Sequence, residues 1–214
     1  MKRIFIITVL MVAFTANVFS ASYEETMTAN IQKMYKASSV SEFTGLANQF
    51  ERIANAEKDK WQPAYYAAYC YLMATITTEM SAEEKHKLLD SAQAQLDVLM
   101  KSFNTESEIY ALQAFVYQIR ITDMMKGMKY SGLSSEALVE AERLNPNNPR
   151  VYYLKGTNTF HTPKAFGGGK EKAKPMFEKA AVLFDIQKPA NAIEPAWGVE
   201  HNNQMLAACD SNEE

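Results

Sequence analysis

The chain has 214 residues, with 22 Lys and Arg against 25 Asp and Glu, and a formal net charge of −3. A mildly acidic chain of this kind lacks the positive surface that nucleic acids and anionic lipids attract, so neither class of partner is predicted. Its two cysteines, Cys70 and Cys209, are too few for a disulfide framework, and two unpaired thiols are favoured over a disulfide.

The first 20 residues have the pattern of a secretory signal peptide. Lys2 and Arg3 supply the positive start, and an apolar run over residues 4–13 follows. The apolar stretch over residues 4–19 is shorter than the about 20 residues that a membrane-spanning helix needs. We therefore predict a signal peptide over residues 1–20, cleaved after Ser20. The remaining residues 21–214 are predicted to form one helical domain that is periplasmic or secreted and does not insert into a membrane.

Helix is the predicted state along most of this domain, because Ala, Leu, Met, Glu and Lys are abundant and alternating β-branched segments are absent. Ser81 with Glu84, and Thr105 with Glu108, have the spacing of capping boxes. The run Asn-Pro-Asn-Asn-Pro at 145–149 ends one helix and starts the next. The predicted helices are Glu24–Lys36, Val40–Lys58, Trp61–Thr78, Ala82–Lys101, Thr105–Lys126, Ser134–Leu144, Arg150–Phe160, Lys170–Phe184 and Pro195–Ala208.

A pattern of small and apolar residues recurs in three of these helices, with offsets of four and seven. Such offsets place the side chains on one helical face, where a small residue lets the neighbouring helix approach. Repetition of a unit that cannot bury its own face predicts a helical solenoid. The three triplets are Ala92, Leu96 and Leu99; Ser134, Leu138 and Ala141; and Ala173, Phe177 and Ala180.

Two stretches resemble the tetratricopeptide repeat family. Glu-Ala-Glu-Arg-Leu-Asn-Pro-Asn-Asn-Pro at 140–149 is similar to the end of one repeat, and Arg-Val-Tyr-Tyr-Leu-Lys-Gly at 150–156 is similar to the start of the next. The resemblance is good over 134–184 and weaker over 61–101, and Ala114 stands where the family usually has Gly. It implies an all-α fold, a right-handed solenoid of antiparallel helix hairpins with about three repeats and capping helices at both ends. Extra residues over 122–133 and 162–169 are assigned to loops between the two helices of a hairpin.

The resemblance also implies a concave face lined by the first helix of each hairpin, and aromatic residues are concentrated in those helices. Some rings are therefore expected in an exposed groove, while burial in the core is the alternative for each of them. Aligning the repeats on Gly156 assigns the groove to Tyr71, Phe115, Tyr153, Thr157 and Phe160.

No catalytic residue, metal site or cofactor is predicted. His86, His161 and His201 are far apart in sequence, and none has a second ligand at a metal-binding spacing. The glycines at 167–169 precede a helix, as in some anion sites, but they lack the P-loop spacing. A turn that needs unusual backbone angles is the favoured explanation of these glycines.

The sequence therefore predicts an exported binding or adaptor protein that is not an enzyme. Its concave aromatic groove is predicted to hold a peptide, a protein partner or a small ligand. The alternative is a structural subunit of an envelope assembly, with no separable ligand.

Overall fold

The computed structural model describes residues 23–211, and in that part of the chain there are nine α-helices, one short 3₁₀-helix and no strands. The predicted signal peptide and its cleavage site lie outside the described residues. None of the described helices is long and apolar enough to cross a membrane. The helices are α1 (residues 23–34), α2 (Val40–Ala56), α3 (Gln62–Thr77), α4 (Ala82–Ser102), α5 (Ser107–Ile119), α6 (Met124–Leu144), α7 (Pro149–His161), α8 (Lys170–Ile186) and α9 (Val199–Asp210).

Neighbouring helices pack as antiparallel hairpins, so the predicted all-α solenoid is confirmed. The hairpin partners are α3 with α4, α5 with α6 and α7 with α8, while α2 packs on α3 and α9 packs on α8. The first helices α3, α5 and α7 also contact one another in turn. They therefore form one side of the molecule.

The three predicted triplets form the packing seam, the set of nine residues through which the second helices α4, α6 and α8 pack. Each member of the seam is at most 1% exposed. At one point the seam touches the first helix directly, because a Cβ added at Gly156 would lie 2.6 Å from the Phe177 ring. Small residues in the seam therefore allow the helices to approach closely, as predicted.

Of the three sequence signals for a helix start, two are confirmed and one is wrong. Ser81 and Glu84 form a capping box at α4, and Asn148 caps α7 by accepting a hydrogen bond from the Arg150 backbone N–H. The predicted box of Thr105 and Glu108 does not form, because α5 begins at Ser107 without a side-chain cap. Glu108 instead turns inward to an ion pair with Arg150.

The predicted loop over residues 122–133 is also wrong, except for its first two residues, because α5 ends at Ile119 and α6 begins at Met124. Asp123 accepts a hydrogen bond from the Lys126 backbone N–H and starts α6 at Met124, so that α6 is 21 residues long. The additional residues of this repeat therefore lengthen the helix rather than the loop. The other predicted insertion, over 162–169, is a turn that contains the 3₁₀-helix Lys164–Phe166.

The glycines at the end of that turn have a structural role. Gly167 and Gly169 have φ angles of 88° and 108°, and a Cβ added at Gly168 would lie 2.0 Å from the Thr162 carbonyl oxygen. The three glycine N–H groups donate to the carbonyl oxygens of Lys164, Pro163 and Thr159. Because these donors are used within the turn, the glycines do not form an anion cradle.

The last helix starts later than predicted. Residues 195–198 are not helical, and α9 begins at Val199 after Gly198, whose φ angle is 107°. The segment over 187–198, which we call the C-terminal strap, connects α8 to α9. Cys70 is buried in α3 and Cys209 lies in α9, and both are free thiols, as favoured from the sequence. Burial raises the pKa of Cys70.

Candidate functional site

The C-terminal strap inserts one aromatic side chain among the first helices. The indole of Trp197 stacks on Tyr69 of α3 and on Phe115 of α5, with ring centroids 5.3 and 5.5 Å apart and interplanar angles of 22° and 25°. The ring of Tyr153 from α7 meets Trp197 edge-on at 6.3 Å. The indole N–H of Trp197 donates to the Tyr65 hydroxyl at 2.8 Å. Trp197 therefore joins aromatic residues from three helices.

A buried ion pair between Arg150 and Glu108 also holds the strap in place, close to the Trp197 ring. Arg150 donates to Glu108 Oε1 at 2.9 Å and to the Pro195 carbonyl oxygen, and its Cζ lies 5.2 Å from the Trp197 ring centroid. Burial raises the pKa of Glu108, and the charge of Arg150 opposes that shift. Arg150 therefore links α5, α7 and the strap through one guanidinium group.

A cavity of about 580 Å³ opens beside Trp197, between the strap and the first helices. We call it the aromatic cavity. Its volume lies within the range of about 300–1,000 Å³ that is common for small-molecule sites. Its lining is partly apolar and partly polar. The apolar lining includes Tyr69, Met73, Ile76, Phe115, Ile119, Ile121, Tyr153 and Trp197, and the polar lining includes Gln118, Thr157, Asn158, His161 and His201.

The polar lining includes two histidines that lie 40 residues apart in sequence, His161 and His201. His201 Nδ1 lies 2.8 Å from the Tyr153 hydroxyl. Burial lowers the pKa of both His161 and His201. The charge of His161 lowers the pKa of His201 further. The neutral form of both imidazoles is therefore favoured near pH 7. Among residues 23–211, no three His, Cys, Asp or Glu side chains are grouped to hold a metal ion.

The structure brings three of the five predicted groove residues together, since Phe115, Tyr153 and Thr157 line the aromatic cavity. The other two lie outside it. Tyr71 faces α2 and donates to Glu51 Oε1 at 3.0 Å, and Phe160 packs edge-on against Phe177 at 6.4 Å.

On α3 the cavity is lined by Tyr69 and Met73, which lie one turn apart on the same face. Tyr71, midway between them in sequence, points to the other side of the helix. The alignment on Gly156 therefore selected a residue of α3 that does not line this cavity. Sequence reasoning also missed Trp197, although Pro195 and Gly198 on either side of it are turn signals that argue against a helix start at Pro195.

The fold and the cavity together define a helical-repeat protein with a site of the size that small ligands occupy. The chain is similar to the solved structure of the HusA haemophore from Porphyromonas gingivalis, with a TM-score of 0.79 and 30% sequence identity. That match covers 90% of this chain and 95% of the haemophore chain. The chain belongs to the family of the HusA haemophore.

A second solved structure, a thermophilic TPR protein of Thermus thermophilus, supports the tetratricopeptide-like fold. It matches with a TM-score of 0.61 and 17% identity, over 87% of this chain and 80% of that one. Neither description is that of an enzyme. No protein-family model matches the chain, and no curated protein matches it.

Proposed function

We propose that the protein is an exported carrier that binds haem or a related porphyrin in the aromatic cavity. The observation that carries this proposal is the aromatic wall of Trp197, Tyr69 and Phe115 beside a cavity of about 580 Å³. Membership of the HusA family supports it, because a haemophore is a protein that captures haem.

The chemistry of the cavity suits such a ligand. A porphyrin has a flat, apolar ring, which gains from stacking on aromatic faces and from leaving water. Met73, Ile119 and Ile121 extend the apolar wall beyond the aromatic rings. The hydroxyl of Thr157 and the imidazole of His161 in the polar lining supply hydrogen-bonding groups for polar substituents.

A protein or peptide partner is the second candidate. An extended peptide on the concave face would compete with the C-terminal strap, since Trp197 already packs there. A protein partner is better placed at the start of α6, outside the concave face. Three methionines form an apolar surface patch there, since Met124, Met125 and Met128 are 74–79% exposed. This patch adjoins Ile121, which lines the aromatic cavity, so a protein that receives the ligand has an apolar surface to contact.

Porphyrin binding is tested by following the fluorescence of Trp197 during titration. The chain has two tryptophans, so a Trp61→Phe variant assigns the signal to Trp197. We expect saturable quenching with one protoporphyrin IX or haemin per chain.

Phe115→Ala should weaken binding about 5- to 30-fold, as for an aromatic anchor. Tyr110→Ala, on the same helix but outside the cavity, is the matched control. Absence of saturable binding, or equal loss in both variants, would contradict the proposal.

Export is tested separately, by the intact mass of the protein recovered from its native host. The pattern over residues 2–20 predicts a chain that begins at Ala21. A chain that still carries residues 1–20 would show that the prediction of a cleaved signal is wrong.

A further inference from the structure

The aromatic cavity is lined by side chains of three kinds that can ligate the iron of haem, namely histidine, tyrosine and methionine. They are His161, His201, Tyr69, Tyr153 and Met73. Imidazole suits iron, whereas a thioether prefers softer metals, and tyrosine must first lose its hydroxyl proton. Tyr69 and Tyr153 are 6% and 3% exposed, and burial of this degree disfavours the phenolate. Both histidines are exposed at the cavity edge, so an imidazole is the better placed donor.

Of the two histidines, His201 has the ring that the fold holds in place. Its Nδ1 lies 2.8 Å from the Tyr153 hydroxyl, and the two rings meet edge-on, with centroids 5.6 Å apart and an interplanar angle of 85°. Tyr153 in turn contacts Trp197 edge-on, so the imidazole of His201 is positioned relative to the aromatic wall. The side chain of His161 makes no hydrogen bond to any described residue, and its ring contacts Phe160. His201 is therefore the preorganised imidazole of the pair.

The backbone around His201 is held as well. Asn202 is fully buried and donates to the Phe177 carbonyl oxygen at 3.1 Å. Gly198, one turn before His201, packs so closely that an added Cβ would lie 3.7 Å from Cδ1 of Tyr153. These contacts keep His201 at the cavity that it lines. Its Nδ1 is occupied by the Tyr153 hydroxyl, and its Nε2 has no hydrogen-bond partner within residues 23–211.

We propose that Nε2 of His201 ligates the iron of haem bound in the aromatic cavity, and that Tyr153 positions the imidazole. This inference rests on the proposed function. With the ring proton on Nδ1 and donated to the Tyr153 hydroxyl oxygen, Nε2 keeps its lone pair for the iron, as in other sites where a hydrogen bond orients a histidine ligand. The aromatic wall binds a porphyrin with or without a metal, whereas His201 adds affinity only when iron is present. His201 thereby selects haem over an iron-free porphyrin.

The experiment compares haemin with protoporphyrin IX, which has the same ring and no iron. Both are titrated into the parent protein and into His201→Gln, with absorbance and fluorescence as readouts. In the parent protein we expect the absorbance spectrum of haemin to shift toward that of haemin with free imidazole. His201→Gln should lose this shift and bind haemin at least about 10-fold more weakly, while its affinity for protoporphyrin IX stays unchanged. Unchanged binding of protoporphyrin IX also shows that the variant is folded.

Two further variants test the assignment to His201. His161→Gln removes the other imidazole of the same cavity and is the matched control, which should keep the haemin spectrum and both affinities. Tyr153→Phe keeps the ring and removes the hydroxyl that orients His201. It should keep the spectral shift, weaken binding of haemin about 2- to 10-fold and leave protoporphyrin IX unaffected, a selectivity that a general loss of structure would not produce.

The outcomes separate this inference from the proposed function. If His201→Gln binds haemin with the same spectrum and affinity as the parent protein, His201 does not ligate the iron and porphyrin binding stands. If the spectral shift is lost in Tyr153→Phe or in His161→Gln but kept in His201→Gln, another residue is the ligand and the inference is overturned. If the parent protein binds neither haemin nor protoporphyrin IX, the proposed function itself is wrong.

Discussion

The packing seam and the aromatic cavity are built on the same hairpins, yet they depend on different parts of the sequence. The seam repeats a triplet of small and large apolar residues in α4, α6 and α8, and each copy packs against neighbours close in the chain. The cavity takes side chains from each of α3, α5 and α7 and is completed by Trp197 of the strap. The repeat therefore encodes the scaffold, while a single non-repeated segment completes the site.

The two regions also differ in how they are filled. The seam is closely packed, so an added methylene group there displaces a neighbour. The aromatic cavity keeps open volume beside rings that are held by stacking and by the Arg150–Glu108 ion pair. Substitutions are therefore expected to separate stability from binding: seam variants change stability, and cavity variants change binding.

Trp197→Ala should have the largest effect, because this ring contributes to both the fold and the cavity. Removing it takes away the stacking on Tyr69 and Phe115 and leaves a void. We expect a loss of about 3–5 kcal/mol in the free energy of unfolding, together with loss of porphyrin binding. Urea denaturation and absorbance titration measure the two effects. An unchanged stability would show that the strap does not hold the first helices together.

The next largest effect is expected in the seam, from Ala141→Leu or Ala173→Leu. Both alanines are fully buried between helices, so the larger side chain should cost about 1–3 kcal/mol by overpacking. The folded fraction should bind porphyrin as tightly as the parent protein. Ala94→Leu, at an exposed position of α4, is the matched control and should leave the melting midpoint nearly unchanged. Equal midpoints for all three variants would contradict the seam.

Tyr71→Phe should have a smaller effect, confined to stability. The hydroxyl of Tyr71 donates to Glu51, and its loss should cost about 0.5–1.5 kcal/mol. Porphyrin affinity should not change, because the ring lies outside the aromatic cavity. Chemical denaturation and fluorescence titration measure both quantities. Weaker binding by this variant, at unchanged stability, would return Tyr71 to the groove that the repeat alignment predicted.

The smallest effect is expected from pH. The pKa values of His161 and His201 are lowered from the ordinary value of about 6.5, so near pH 6 the unfolded chain binds more protons than the folded one. This contribution to stability is complete above pH 6.5 and is lost as the pH falls through the lowered values. Both side chains are exposed at the cavity edge, so the change should stay below about 1 kcal/mol.

Urea denaturation at pH 7.5 and 5.5 measures this change, and the His161→Gln/His201→Gln variant serves as the reference. Because glutamine does not titrate, the variant should lose less stability between the two pH values than the parent protein does. An identical loss in both proteins would assign the pH dependence to other groups.

Much of the scaffold was predictable from sequence because its signals are local. The Ser81 cap, the Asn148-Pro149 start and the triplet at Ala173 each lie within one or two helical turns, where spacing alone defines which side chains meet. Where a local signal had two interpretations, the prediction was less secure. The segment after Asp123 was assigned to a loop, yet the carboxylate of that residue caps α6.

The site was predicted only in part, because it is made of residues that are distant in sequence. Phe115, Tyr153 and Thr157 were found through the repeat, but Tyr69 was missed in favour of Tyr71, because a shift of two residues turns a side chain to the other face of a helix. Glu108 matched a local capping pattern, yet its carboxylate pairs with Arg150 instead.

Composition and periodicity specify an all-α repeat protein, since amphipathic helices that cannot bury their own apolar faces must stack. The aromatic cavity follows from contacts that no local pattern records: Trp197 on Tyr69 and Phe115, His201 on Tyr153, and Arg150 on Glu108. Such contacts form only when the stacked hairpins bring the strap and α9 back over the first helices. Their energies depend on burial and on geometry across the fold, which is why the candidate site became visible only in the folded chain.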